Sequence, residues 1–209
     1  WLGKKEFYDS FDKFVPCISL DKGETYFWRK YNHVRIDFSA MREIFNNSKW
    51  YRKKVQYHEY GHAKATLQGG WEDRVDFKNL YKKFFDEYNK PEYRYFGEEN
   101  KPKWKMVDKL YEELDKVKNK NDDIKRLFGT ISDTLQAFDK EHKRIKGMSG
   151  HETEYFSSGV HKCLAEIIAH LSENYWAKNK YFQKVLPKLF NEAMPIYEKF
   201  FKLSKPAKR

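Results

Sequence analysis

The stretch Val55-Gln56-Tyr57-His58-Glu59-Tyr60-Gly61-His62-Ala63 carries two histidines four residues apart, with a glutamate directly after the first. On a helix, residues i and i+4 lie one above the other on a single face. Two imidazoles so placed can bind one zinc ion at about 2.1 Å each without bending the backbone. The intervening Glu59 is then positioned to take a proton from a water on the metal. The helical phase agrees: Tyr51, Val55, His58, His62 and Ala65 recur at steps of four, three, four and three, while Lys53, Lys54 and Lys64 fall off that line. A single histidine on an apolar stripe is ordinarily a hydrogen-bonded core residue. Two of them beside Glu59 bring three ionisable groups to a buried face, which is costly unless they are paired or metal-bound. Gly61, inside the same helix, costs on the order of 1 kcal/mol relative to Ala. Its two readings are a close approach by a neighbouring element and a merely tolerated glycine.

Working outward, "CISL", "TYFWR" and "NHVRIDF" read as strands of a short N-terminal antiparallel sheet over 15–38, the last two forming a hairpin. In the third, Val34, Ile36 and Phe38 alternate with His33, Arg35 and Asp37, the period of a half-buried strand. "SAMREIF" starts a helix at Ser39. The H-E-x-x-H helix spans 49–68 and stops at Gly69-Gly70. Further helices are expected at about 77–88, 106–119 and 124–138, with loops at Pro91 and Pro102 and across "KGMSGHETEYFSSG", 146–159. The clearest helix is 160–176, where Val160, Leu164, Ile167, Ile168, Leu171 and Tyr175 make one apolar stripe. Pro187 and Pro195 are expected to break up the final helical stretch. The whole, 1–209, reads as one mainly α (α+β) domain, its sheet packed by the H-E-x-x-H helix. A chain of 209 residues that begins at Trp1 is long enough for one such core and is expected to be a piece of a longer protein.

The third ligand has to come from elsewhere. A protease of the H-E-x-x-H-x-x-G-x-x-H type needs Gly at 65 and His at 68, where this chain has Ala65 and Gln68. The segment "CLAEIIAHLSEN" offers Glu166, with His170 as the rival ligand or as a partner steadying Glu166; the plain alternative for Glu166 is a surface carboxylate. Small Ala165 and Ala169 allow a close helix–helix approach. His151 and Tyr155 are candidates for stabilising an oxyanion near the metal, against an ordinary loop histidine and a packing tyrosine.

"YHEYGHA", "ISDTLQAF", "GHETEYF" and "AEIIAHLSENY", in that order within about residues 32–176, resemble the zinc metallopeptidase domain of phage minor head (head-morphogenesis) proteins and related prophage or toxin-type modules. The later blocks of that family commonly read G-H-x-x-x-Y and A-E-x-x-A-E. Gly150, His151 and Tyr155 match the first. Ala165, Glu166 and Ala169 match the second, with His170 in place of its second glutamate. The resemblance implies a zincin-like, gluzincin-like fold with Zn2+ held by His58, His62 and Glu166 and with Glu59 as base. It also implies a protein or peptide substrate and capsid proteins as partners.

Composition adds partners and place. Lys and Arg number 42 against 31 Asp and Glu, a net +11. That balance suits contact with nucleic acid, although charges of both signs mostly alternate along the chain. Basic clusters stand at Lys101/Lys103/Lys105, at Lys143/Arg144/Lys146 and in the tail. No apolar run approaches a membrane span, so no membrane partner is expected. Cys17 and Cys163, far apart, read as reduced thiols and point to a cytoplasmic or virion-associated setting. A zinc-stiffened capsid or DNA-binding module that cleaves nothing, and a secreted metalloprotease effector, are the two other function classes.

Overall fold

The structure is a computed structural model that describes residues 17–21, 26–28, 33–37, 49–67, 70–97, 102–117, 121–142, 145 and 151–203. The helix expected from Ser39, the Tyr51 and Val55 side chains, Gly150 and most of the basic clusters lie outside the described residues.

Three strands come first: β1 (Cys17–Asp21), β2 (Tyr26–Trp28) and β3 (His33–Asp37). β2 and β3 form the expected antiparallel hairpin, pairing Phe27 with Val34. The sheet is nevertheless mixed rather than antiparallel. Its order is β1-β3-β2, and β1 pairs parallel to β3, Ile18 against Val34. A chain that reverses twice brings its third strand back in the direction of its first. Once β3 takes the centre, β1 can pair with it only in parallel. β2 and β3 lie against the H-E-x-x-H helix, α1 (Lys49–Leu67).

After the 3-10 turn Trp71–Asp73 comes α2 (Val75–Tyr88), whose Phe77, Leu80, Tyr81, Phe84 and Tyr88 share one buried stripe. A second small sheet, unforeseen from the sequence, pairs β4 (Arg94–Phe96) with β5 (Pro102–Trp104). Its strands are three residues each and carry no alternation to read. Trp104 anchors it, donating its indole N–H to the Tyr88 carbonyl at 2.9 Å. Next come α3 (Lys105–Val117), α4 (Asn121–Phe138), α5 (Thr153–Ser157), α6 (Val160–Ala177), α7 (Tyr181–Val185) and α8 (Pro187–Leu203).

α6 is the axis of the molecule. From Leu164 to Glu173 only Ala165 keeps partial exposure, because α1, α4 and α8 surround the helix. The stripe read from the sequence holds at Leu164, Ile167, Ile168 and Leu171. Its first member, Val160, is 47% exposed, since the first turn projects beyond its neighbours. α1 packs unusually close. A Cβ on Gly61 would stand 2.8 Å from the Ser172 Cβ and 3.1 Å from the Ala169 Cα. Gly61 is therefore the point at which the H-E-x-x-H helix meets α6.

Three further expectations change. α1 is covered on more than its apolar line, so Lys54 and Lys64 are buried as well, Lys64 placing its ammonium 4.5 Å from the centre of the Phe201 ring. The segment 146–159 is not all loop, because Tyr155 stands on α5. Pro195 does not break α8 but lies inside it. The carbonyl it leaves without an amide partner is that of Asn191, and both residues are on the exposed face, where water can serve. Cys163 is a free, buried thiol. Among the described residues no helix is long and apolar enough to cross a membrane.

Candidate metal centre

The Gly61 contact sets α1 directly on α6 and so brings His58 and His62 opposite Glu166, buried to 1% exposure. His58 Nε2 lies 3.2 Å from His62 Nε2 and 3.3 Å from Glu166 Oε2, and His62 Nε2 lies 3.4 Å from Glu166 Oε1. Four-coordinate zinc with ligand bonds of about 2.0–2.1 Å separates neighbouring ligand atoms by roughly 3.3–3.4 Å. The two imidazole nitrogens and the carboxylate, which turns one oxygen to each, thus stand at the spacing that such a metal ion needs. Glu166 Oε2 has no hydrogen-bond partner although it is buried. That oxygen faces His58 Nε2, whose proton a metal ion would replace.

The tautomer of His58 agrees. Its Nδ1 stands 2.8 Å from Glu173 Oε1, so Nδ1–H donates there and Nε2 is the nitrogen that faces the centre, where a metal ion would take the place of its proton. Glu173, fully buried on α6, also accepts from Thr130 Oγ1 at 3.0 Å, from Asn179 Nδ2 at 3.3 Å and from His170 Nδ1 at 3.1 Å. Motif spacing does not point to Glu173, but its position does: it is one helical turn beyond His170 and two beyond Glu166 on a buried helix, and a glutamate so placed needs partners.

His170 stands behind this centre. Its Nδ1–H is committed to Glu173, and its ring lies 4.8 Å from that of His58. Among the described residues, the clusters able to hold an ion include His58/His62/Glu166, His58/His170/Glu173 and Asp133/Glu166/His170. Of the two sequence candidates for third ligand, Glu166 is the one whose cluster contains both histidines of the motif, while the clusters of His170 contain His58 or neither.

His151 and Tyr155 also reach the centre. His151 Nε2 is 3.2 Å from Glu166 Oε1, and the Tyr155 hydroxyl donates to the same oxygen at 2.7 Å. Their rings stack at 3.9 Å. α4 fixes this segment: the Gln136 amide donates to the His151 carbonyl at 3.0 Å, and Asp133 Oδ1 accepts from the His151 N–H at 3.2 Å. The "ISDTLQAF" block therefore contributes a clamp on the His151 strand of chain.

The charge balance shows in the titrating groups. Burial, opposed by His58, raises the Glu59 carboxyl from 4.5 to about 7. Burial pushes His62 down to about 3, so its ring is neutral and its lone pair open at neutral pH. Burial would also lower His58, but the carboxylates of Glu166 and Glu173 that face its ring outweigh it and hold His58 well above 6.5. Glu166 sits well below the usual carboxylate range. Burial would raise it, and the neighbouring His62, His151 and His58 prevail. Glu173 is likewise depressed against burial, by Lys54, His170 and His58. Tyr155 is raised by burial and by the neighbouring Glu166, so it is a neutral donor. No family model matches the chain, and no curated protein or solved structure matches it either.

Proposed function

We propose that the chain is a zinc-dependent peptidase on a zincin-like, gluzincin-like scaffold, with Zn2+ held by His58, His62 and Glu166. The observation that carries the reading is the triangle of His58 Nε2, His62 Nε2 and Glu166, 3.2–3.4 Å on its edges, with one buried carboxylate oxygen left unpartnered. Bound there, zinc would lower the pKa of a water ligand to about 7 and polarise a substrate carbonyl.

The chain's own residues supply the rest. Glu173 takes the Nδ1 proton of His58 and so fixes the ring orientation. Glu59, raised to about 7, is matched to accepting a proton from the attacking water near neutral pH and handing it to the leaving amine. His151 and Tyr155 hold Glu166 and gather N–H and O–H donors at the open side, where His151 keeps 41% exposure. Donors there are suited to an oxyanion forming on the substrate. The substrate class is a protein or peptide. Together with the ordered motif blocks, this supports a role in phage head morphogenesis, with capsid proteins as the setting and the basic surface available to nucleic acid.

The test is Glu59→Gln at matched zinc content. The variant should keep its metal, because Glu59 is not a ligand, and lose cleavage by about 10²–10⁴-fold, because an amide cannot accept the water proton. Equal cleavage by both proteins would remove Glu59 from the reaction. Absence of cleavage by either across a broad peptide library would favour the non-catalytic capsid or DNA-binding module.

A further inference from the structure

Behind the triangle lies a second set of ligand atoms that the peptidase reading leaves unused. Asp133 on α4 and Glu166 and His170 on α6 each turn one ligand atom into a common region, all within 4.8 Å of one another. His170 Nε2 is the telling atom. The residue is 0% exposed, its other ring nitrogen is committed to Glu173, and Nε2 has no hydrogen-bond partner. The group facing it is Asp133 Oδ2 at 3.9 Å, too far for a hydrogen bond. The other oxygen of Asp133, Oδ1, accepts from the His151 N–H. Two orphaned atoms, His170 Nε2 and Glu166 Oε2, thus occur in one buried cluster.

We propose that Asp133, Glu166 and His170 bind a second divalent transition-metal ion, with the Glu166 carboxylate shared between the two positions. One imidazole and two carboxylates suit zinc, manganese or cobalt. Paired ions of this kind sit about 3.5–4 Å apart and are commonly joined by a carboxylate. The inference rests on the peptidase reading, since it borrows its Glu166, but its failure can be told apart.

The experiment is equilibrium dialysis of the full 209-residue chain against zinc, with metal counted per chain, for wild type and for His170→Gln. Two equivalents in wild type and one in the variant are expected. One equivalent in wild type overturns the second position and leaves the first standing. Zero overturns both. Two equivalents in both proteins overturn the assignment to His170. Where His170→Gln does not fold, the wild type loaded with cobalt(II) decides. Two ions bridged by Glu166 couple magnetically and weaken the paramagnetic resonance signal, whereas two full-strength, uncoupled signals contradict the shared carboxylate.

Discussion

Glu173 decides how well the first histidine of the motif can serve. Its Oε1 takes the Nδ1 proton of His58 at 2.8 Å, while Thr130 and Asn179 hold Oε2. Glu173→Gln removes the charge that polarises the ring and turns an amide N–H towards groups that are themselves donors. Zinc affinity should fall by about 10–100-fold, with Glu59 untouched, as measured by competition against a chelator of known affinity. Unchanged affinity would show that Glu173 is only a packing residue. Sequence spacing alone is enough to bring His58, Glu59 and His62 together, because they are local to one helix and four-residue periodicity places the two histidines on one face. Glu173 and Asp133 escaped because their importance lies in what α1 and α4 carry across to α6, and no periodicity within one segment reports a partner in another.

Among the elements, the α1–α6 contact governs the site. Gly61→Ala would place a Cβ 2.8 Å from Ser172 and 3.1 Å from the backbone of Ala169. The helices must separate, at a cost of about 1–3 kcal/mol for an overpacked site. We expect a lower midpoint of thermal unfolding and weaker zinc binding together, because the same shift draws His58 and His62 away from Glu166. A variant as stable and as tightly metal-binding as wild type would show that the contact does not set the centre. The long helices were legible because Leu164, Ile167, Ile168 and Leu171, or Phe77, Leu80, Phe84 and Tyr88, repeat the helical period. The β4–β5 pair was not, since Arg94–Phe96 and Pro102–Trp104 are too short to alternate. Nor was the parallel pairing of β1 with β3, because strand order depends on which strand takes the centre. Pro195 misled in the other direction. Proline does remove a helical hydrogen bond, but on an exposed face water replaces the partner.

For the molecule as a whole, the buried charge sets a pH window. Glu166 and Glu173 are depressed below 4.5, so they stabilise the fold above about that pH, and this contribution is lost as pH falls through their folded values. Glu59, raised from 4.5 to about 7, contributes fully below 4.5 and loses that contribution as pH rises to about 7, whereas His62, lowered from 6.5 to about 3, gains stability as pH rises from about 3 to 6.5. The two offset each other between 4.5 and 6.5, and the raised His58 loses its contribution above 6.5, so the metal-free protein should be most stable between about 4.5 and about 6.5. Zinc held by His58 would displace the second proton of that ring, so on the proposed reading the zinc-induced rise in unfolding temperature should grow from about pH 6 to about pH 8. Thermal scans with and without zinc across that range check this; a gain that shrinks with pH would contradict it.

The proposed metal position lies between His58 Nε2, His62 Nε2 and Glu166. An anomalous difference map recorded at the zinc edge from crystals of the zinc-loaded protein would locate it. A strong peak is expected at about 2.0–2.2 Å from each of those three side chains, with Glu59 beside it and not bonded to it. Zinc-loaded crystals with no peak between His58, His62 and Glu166 would contradict it.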